Sequence, residues 1–297
     1  MAEELALQLA VTRPSSLPLR LVRHCFGLAG LLIVGLITVT ALGAPVWAPH
    51  PPDHQFPAGL DDFGMPRPPS REFLLGTDSL GRDVLSRIIY GARISLLVGT
   101  VAMLTAVCLG TLVGLVSGYF GRRLDFLLMR LTDIMMTFPA LLLAIALVAV
   151  LKPSIYNIFL VIGIVSWTDI ARVVRSEVLS LKEREFVEAA RALGSSHGHI
   201  IRCHILPNVT PTIIVLGTMR TAGTILLDAG LSFLGIGVPP PAPSWGQMIS
   251  DGQAYYLSAP WILTAPAICV VVTVIGFNLL GRALQDVLDP YAQKSAA

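Results

Sequence analysis

The stretch SLLVGTVAMLTAVCLGTLVGLVSGY, Ser95 to Tyr119, holds 25 residues and no charged side chain. In a hydrocarbon core about 30 Å thick the backbone finds no water, so a crossing segment is helical and about 20 residues long. This stretch meets the length and reads as a membrane-spanning helix. Gly110, Gly114 and Gly118 recur within it at every fourth position. That spacing puts three positions without side chains on one helix face, where a neighbouring helix can come close.

Five further apolar runs lie around it, from Leu21 to Leu42, Leu124 to Leu151, Ile155 to Val174, Pro211 to Leu227 and Ala259 to Leu280. The run after the quoted one carries Pro139 inside it, and only Lys152-Pro153-Ser154 separates it from the next, which makes those two a hairpin. After Leu227, the segment Ala229 to Gly237 is apolar but punctuated by Gly230, Gly235 and Gly237, a candidate for a piece that re-enters the membrane part way. The expectation is an all-α polytopic protein with six transmembrane helices. The first run has a second reading as a cleaved leader, because basic residues precede it and small ones follow at Ala41 to Ala44. Its length favours a span.

Composition agrees. Among 297 residues 54% are apolar and 13% charged, and the mean hydropathy is +0.72, which does not describe a soluble surface. A net charge of +2, in short basic clusters between apolar runs, excludes a nucleic-acid-binding stripe. Cys25, Cys108, Cys203 and Cys269 stand singly and read as packing residues; neither they nor the six histidines show metal-ligand spacing. His197 and His199 fall in the Gly/Ser-rich Ser195-Ser196-His197-Gly198-His199, which reads as a solvated turn.

Orientation follows from the short basic loops. Arg13, Arg20 and Arg23 lie before or at the start of the first run, Arg122 and Arg123 follow the second, and Arg172, Arg175, Lys182, Arg184, Arg191 and Arg202 lie at the end of the fourth or after it. With six alternating spans these all share one side, the cytoplasm, together with both termini. Arg82, Arg87 and Arg93 fall on the other side, within a long external segment of the kind largely exempt from the rule.

The polar segment between the fourth and fifth runs is long for a simple connection. Phe186, Ala189, Ala190 and Leu193 recur there at helical spacing before Gly194, giving a short amphipathic helix with a C-terminal cap. Its apolar face needs a partner, either a protein groove or lipid headgroups.

Glu188-Ala189-Ala190, then Gly194, then Leu206-Pro207 resemble the EAA signature of ABC importer permeases. Leu75 to Arg87 with Gly91 to Leu96, Leu231 to Gly237, Pro243-Ser244-Trp245-Gly246, and Asn278 to Pro290 further resemble the C-type permeases of dipeptide, oligopeptide and nickel importers. The resemblance implies a type I (MetI-like) permease fold. In that family the EAA segment, here 175–210, is a cytoplasmic coupling helix that docks on an ATPase. It implies the following layout: a cytoplasmic tail (1–20), a first helix with its external loop (21–94), a five-helix core (95–290) and a second cytoplasmic tail (291–297). It implies as partners a related second permease, two cytoplasmic ABC ATPases that hold ATP and magnesium, an extracytoplasmic solute-binding protein and membrane lipid. The setting is a bacterial inner membrane. Cargo on this resemblance is short peptides, with nickel, a metal chelate or glutathione as alternatives.

The chain itself is not expected to be an enzyme or to hold a cofactor. A phosphate-binding loop needs Gly-Lys, and the three lysines, Lys152, Lys182 and Lys294, follow Leu151, Leu181 and Gln293. Polar residues inside spans are candidates for the passage or its gate: Asp228, Arg220 two turns earlier near the same face, and Asn278. Arg130 with Asp133, and Asp169 with Arg172, are three apart and are expected to pair within their own helices. The rival class is an ion-driven secondary transporter, which would show repeated halves and mid-membrane ionisable residues. A scaffold without transport activity is a third reading, and it leaves the coupling segment unexplained.

Overall fold

The structure, a computed structural model, describes residues 21, 24–151 and 154–288. Both expected tails (1–20 and 291–297), the basic residues Arg13, Arg20 and Arg23, the hairpin residues Lys152-Pro153 and the closing Asp289-Pro290 lie outside that range. Among the described residues there is no β-strand, only isolated bridges at Leu60 with Pro66 and Thr77 with Asp83.

Besides a single helical turn at Ala44–Trp47, the α-helices among the described residues are α1 (Cys25–Leu42), α2 (Val84–Phe120), α3 (Arg122–Thr137), α4 (Ala140–Val150), α5 (Ile155–Leu181), α6 (Glu185–Ala192), α7 (His197–Ile200), α8 (Leu206–Phe233), α9 (Trp245–Gly252) and α10 (Trp261–Leu288). Helices α1, α2, α5 and α10, and α7 with α8, are long and apolar enough to cross a membrane. Helices α3 and α4 form a sixth candidate crossing, bent by 92°. The all-helical, multi-span expectation holds.

The third run is therefore not one straight helix. Pro139 has no N–H to continue the ladder, and its ring disfavours helical backbone at the residue before it. Phe138 accordingly takes ψ 132° and the chain turns there.

Other lengths differ from hydropathy alone. Helix α2 begins at Val84, eleven positions before the apolar run, where Asp83 accepts a hydrogen bond from the Ser86 N–H at 3.0 Å. This polar first part packs Val84 and Ile88 against Met248, Ala259 and Ile262. Helix α5 likewise continues past Val174 to Leu181. Helix α8 starts at Leu206, takes Pro211 into its interior, and runs to Phe233. The stretch Ala229 to Gly237 is thus its last turn and cap, not a re-entrant piece. Gly235 at φ +78° lets Ile236 N–H reach the Leu231 carbonyl at 3.1 Å and end the helix.

The face of α2 that carries Gly110, Gly114 and Gly118 lies against α5. A Cβ on these glycines would stand 2.7, 2.7 and 2.8 Å from the Cβ atoms of Ile170, Val174 and Val178, and no closer than 2.7 Å but under 3.0 Å from the carbonyls of Trp167, Ala171 and Arg175. Real carbon contacts do not come that close. At the other edge α1 packs along α10, with Val34 and Ile37 beside Val270, Val274 and Phe277.

The long segment between α1 and α2 closes on itself. Arg82 pairs with Asp78 at 2.6 Å, and buried Arg87 sits 3.4 Å from Asp78 and 3.6 Å from Asp53. Two of the three arginines that stood against the charge rule, Arg82 and Arg87, are neutralised locally.

Gly114→Val should drive α2 and α5 apart. Overpacking of this kind costs about 1–3 kcal/mol. We expect a lower Tm for the purified protein in detergent, whereas Gly35→Val, at a position with open space around it, leaves Tm unchanged.

Candidate functional site

Two regions gather the chemistry. The first is built around α6. The backbone leaves α5 at Leu181, and the Lys182 ammonium donates to the Gly118 carbonyl of α2 at 3.1 Å. Arg184 then turns the chain into α6. Val187 and Ala190 go inward, into a cluster with Tyr119, Val178, Ile200, Ile205 and Val209. Phe186 and Leu193 stay 43% and 86% exposed, and Glu188 and Ala189 are also exposed. The expected apolar face of Phe186, Ala189, Ala190 and Leu193 is thereby corrected. Ala190 belongs with Val187 on the inner side, and Phe186, Ala189 and Leu193 form a separate outer row. Val187 was the residue that spacing missed; it completes an inner pair with Ala190 three positions on.

Gly194 closes α6 at φ +81°, a conformation that disfavours any side chain. It lets Ser195 N–H donate to the Ala190 carbonyl at 3.1 Å and its own N–H to Arg191 at 3.0 Å. The next segment is solvated as expected, with His197 and His199 exposed, but it is a helical turn and not a loop. Ser196 caps α7, and His197 Nδ1 hydrogen-bonds the Tyr119 hydroxyl at 2.8 Å, which ties this segment to the end of α2. A π-helical turn, Ile201–Ile205, joins α7 to α8, whose first turn holds half-buried Leu206 and exposed Pro207. Among the described residues no group of three or more His, Cys, Asp or Glu is placed to hold a metal.

The second region is a cavity of about 630 Å³ between the Phe138-Pro139 elbow, α5 and α8. Its walls include Met135, Met136, Val165 and Leu227, and it contains Asp169 and Arg220. Arg220 Nη1 lies 2.9 Å from Asp169 Oδ2.

The charges inside the bundle pair across helices. Asp169 takes Arg220 instead of Arg172, and Asp133 takes Arg172 at 2.7 Å instead of Arg130. Arg130 lies over the Phe126 ring, 5.8 Å from its centre. Asp125 receives both a 2.5 Å and a 2.6 Å bond from Arg175, and a third from Ser117. Neighbours three apart on one helix could pair, but two helices in contact offer shorter, better-aligned partners in a site where an isolated charge is costly. Sequence could have flagged this from Arg220, a lone charge with no acid within a turn on its own helix, whose partner therefore had to come from another span.

Arg220 and Asp228 do not share a face. Eight residues add about 80° beyond two full turns. Asp228 lies on the buried stripe with Thr224 and Ile225 that meets α2 at Gly99, is 1% exposed, and its Oδ1 has no hydrogen-bond partner among the described residues. Asn278 donates to the Val274 carbonyl of its own helix at 2.8 Å, and it does not line the cavity.

The fold has a close counterpart in an inward-facing MetNI methionine ABC transporter, with a TM-score of 0.57 over 68% of this chain and 97% of that one at 19% identity. That likeness defines a type I permease fold. Residues 110–294 match the family described as binding-protein-dependent transport system inner membrane component, and residues 19–69 match the N-terminal TM domain of oligopeptide transport permease C. The chain belongs to this family of multi-pass inner-membrane permeases. It is 48% identical over 213 residues to a dipeptide transport system permease protein of Alkalihalophilus pseudofirmus, covering 72% of this chain and 70% of that protein. It is 41% identical over 275 residues to a di/tripeptide transport system permease protein of Pseudomonas aeruginosa, covering 91% and 89%. A glutathione transport system permease protein of Escherichia coli O6:K15:H31 is 41% identical over 268 residues, covering 90% and 87%.

The two buried or half-buried aspartates should respond differently to loss of charge. Asp125→Asn strands Arg175, and the loss of a charge-assisted pair, discounted for partial exposure, is about 1–2 kcal/mol. We expect its Tm to fall, while Asp228→Asn, at a carboxyl with no cationic partner, holds its Tm or raises it.

Proposed function

We propose that this chain is a permease subunit of an ATP-driven importer and forms half of a passage for short peptides. Its relatives carry dipeptide and di/tripeptide permease names across up to 91% of its length. The partners in this reading are a related second permease, two cytoplasmic ATPases that hold ATP and magnesium, and an extracytoplasmic solute-binding protein. Both termini then lie in the cytoplasm, and the chain carries no catalytic group or cofactor of its own.

The observation that carries the reading is the seat of α6. Its inner residues Val187 and Ala190 wedge among Tyr119 of α2, Val178 of α5 and Val209 of α8. Its outer row, Phe186, Ala189 and Leu193, stays exposed, with Phe186 also facing the His204 ring at 6.3 Å. A force applied to the outer row reaches three membrane helices through close-packed side chains, which are stiff and transmit displacement. Glu188 stands beside that row with its carboxylate free to accept hydrogen bonds from a docked subunit. Helix α6 therefore acts as the coupling helix, with Gly194 fixing its end and Leu206-Pro207 leading into α8.

A second cargo reading is glutathione, itself a γ-linked tripeptide, and it is favoured by the glutathione permease relative. Both cargoes are small zwitterions with amide bonds, and the same passage serves either.

The test is assembly and turnover. With its partners in lipid vesicles, the wild-type importer should take up dialanine and hydrolyse ATP faster when loaded binding protein is present. Ala189→Trp and Glu188→Trp, both on the outer side, should reduce the stimulated rate by about tenfold or more, as for central residues of an interface. Undiminished stimulation and uptake in both would sink the coupling role.

A further inference from the structure

The cavity between α5, α8 and the elbow holds one acid and one base, and this pairing has the polarity of the proposed cargo. A short peptide at neutral pH carries an ammonium at one end and a carboxylate at the other. We infer that this cavity is a transit site for zwitterionic peptides, with Arg220 taking the terminal carboxylate and Asp169 the terminal ammonium. The inference rests on the peptide reading above and adds to it the residues and the chemistry of recognition.

Size permits it. A volume of about 630 Å³ lies inside the range of roughly 300–1,000 Å³ common for small-molecule sites. Two or three extended residues span about 7–11 Å.

Electrostatics permit it as well. When the cavity is empty, Arg220 and Asp169 neutralise each other at 2.9 Å, so no unpaired charge faces an apolar wall. Arg220 and Asp169 are 53% and 39% exposed, which leaves both side chains room to part. A peptide that enters separates the pair and makes two charge-assisted contacts in place of one, and the net charge of the cavity does not change. Because the resting pair must be broken, the site binds weakly, as a passage requires if its cargo is to leave. The remaining walls suit varied side chains: Met135 and Met136 are unbranched, polarisable and able to adapt their shape. The Asp125–Arg175 pair and Asp228 lack this setting. Asp125 and Arg175 are held by a fork of two bonds plus Ser117, and Asp228 has no base beside it.

The experiment uses the assembled importer, permease pair with ATPases, in lipid nanodiscs and without the binding protein, so that only the passage selects. Titration by saturation-transfer NMR compares dialanine, dialanine amide and N-acetyl-dialanine. The wild type should bind dialanine best. Arg220→Gln should weaken dialanine by about tenfold and abolish the preference over the amide. Asp169→Asn should do the same for the preference over the acetylated peptide. Arg220→Lys, which keeps the charge, should retain the preference for a free carboxylate, and all variants should assemble with the ATPases in wild-type yield. Dialanine that does not bind the wild type, or preferences that survive both neutral substitutions, overturns the site. So does a loss that tracks only with lost assembly, because that marks a structural pair. Uptake of dialanine by the complete importer separates the two levels: if uptake persists when the site fails, the peptide reading stands; if the complete wild-type importer takes up none, both fall.

Discussion

Three missing side chains set the distance on which the rest of the molecule depends. In lipid, helices gain nothing by hiding apolar surface from water, so association rests on close contact and on the few polar groups available. Along α2 the contact is at the limit. Gly110, Gly114 and Gly118 bring its backbone onto Ile170, Val174 and Val178 of α5 with no room for a methyl group. Dispersion is steep at such distances, so many small attractions add up only where both surfaces follow each other closely. Once that seam is set, the ends of the two helices are fixed together. Lys182 reaches the Gly118 carbonyl, Arg175 reaches Asp125 just past the end of α2, and α6 finds its seat against Tyr119 and Val178.

The same economy governs charge. Each acidic residue of the central helices that takes an arginine takes it from another helix, and the pairs mark successive contacts: α3 to α5 at Asp125–Arg175 and Asp133–Arg172, α5 to α8 at Asp169–Arg220. These pairs order the helices around the cavity as much as they stabilise them, because rotating a helix by one residue, about 100°, would part each pair. Asp228 departs from the pattern, and its buried, unpartnered oxygen lies on the contact between α8 and α2.

Much of the architecture was legible because lipid imposes one strong rule. An uncharged run such as Ser95 to Tyr119 has few structures open to it, so the number and order of spans could be read directly. Span limits were less legible. Hydropathy reports where lipid begins, whereas helix ends depend on capping, and Asp83 and Gly235 place the start of α2 and the end of α8 beyond the apolar runs. Pro139 was visible in the third run, but a proline in a helix can kink or end it, and only the extended Phe138 reveals the 92° elbow. For the site, the motif around Glu188 located the right segment. The division of its faces was hidden because Val187 and Ala190 find their partners on α2, α5 and α8, which spacing within one helix cannot show. The pairing of Asp169 with Arg220 was hidden for the same reason.

Helix α2 has 37 residues in one unbroken piece, a rod of about 55 Å, nearly twice the thickness of the hydrocarbon it crosses. Its first turns grip Met248 and Ile262, and its last turn holds His197 through Tyr119. A rod with anchors at both tips and no hinge between them behaves as a see-saw. A tilt of about 5° carries each tip about 2 Å in opposite senses. Whatever moves one tip is thus carried to the other through a single piece, with no relay of loosely joined parts between them.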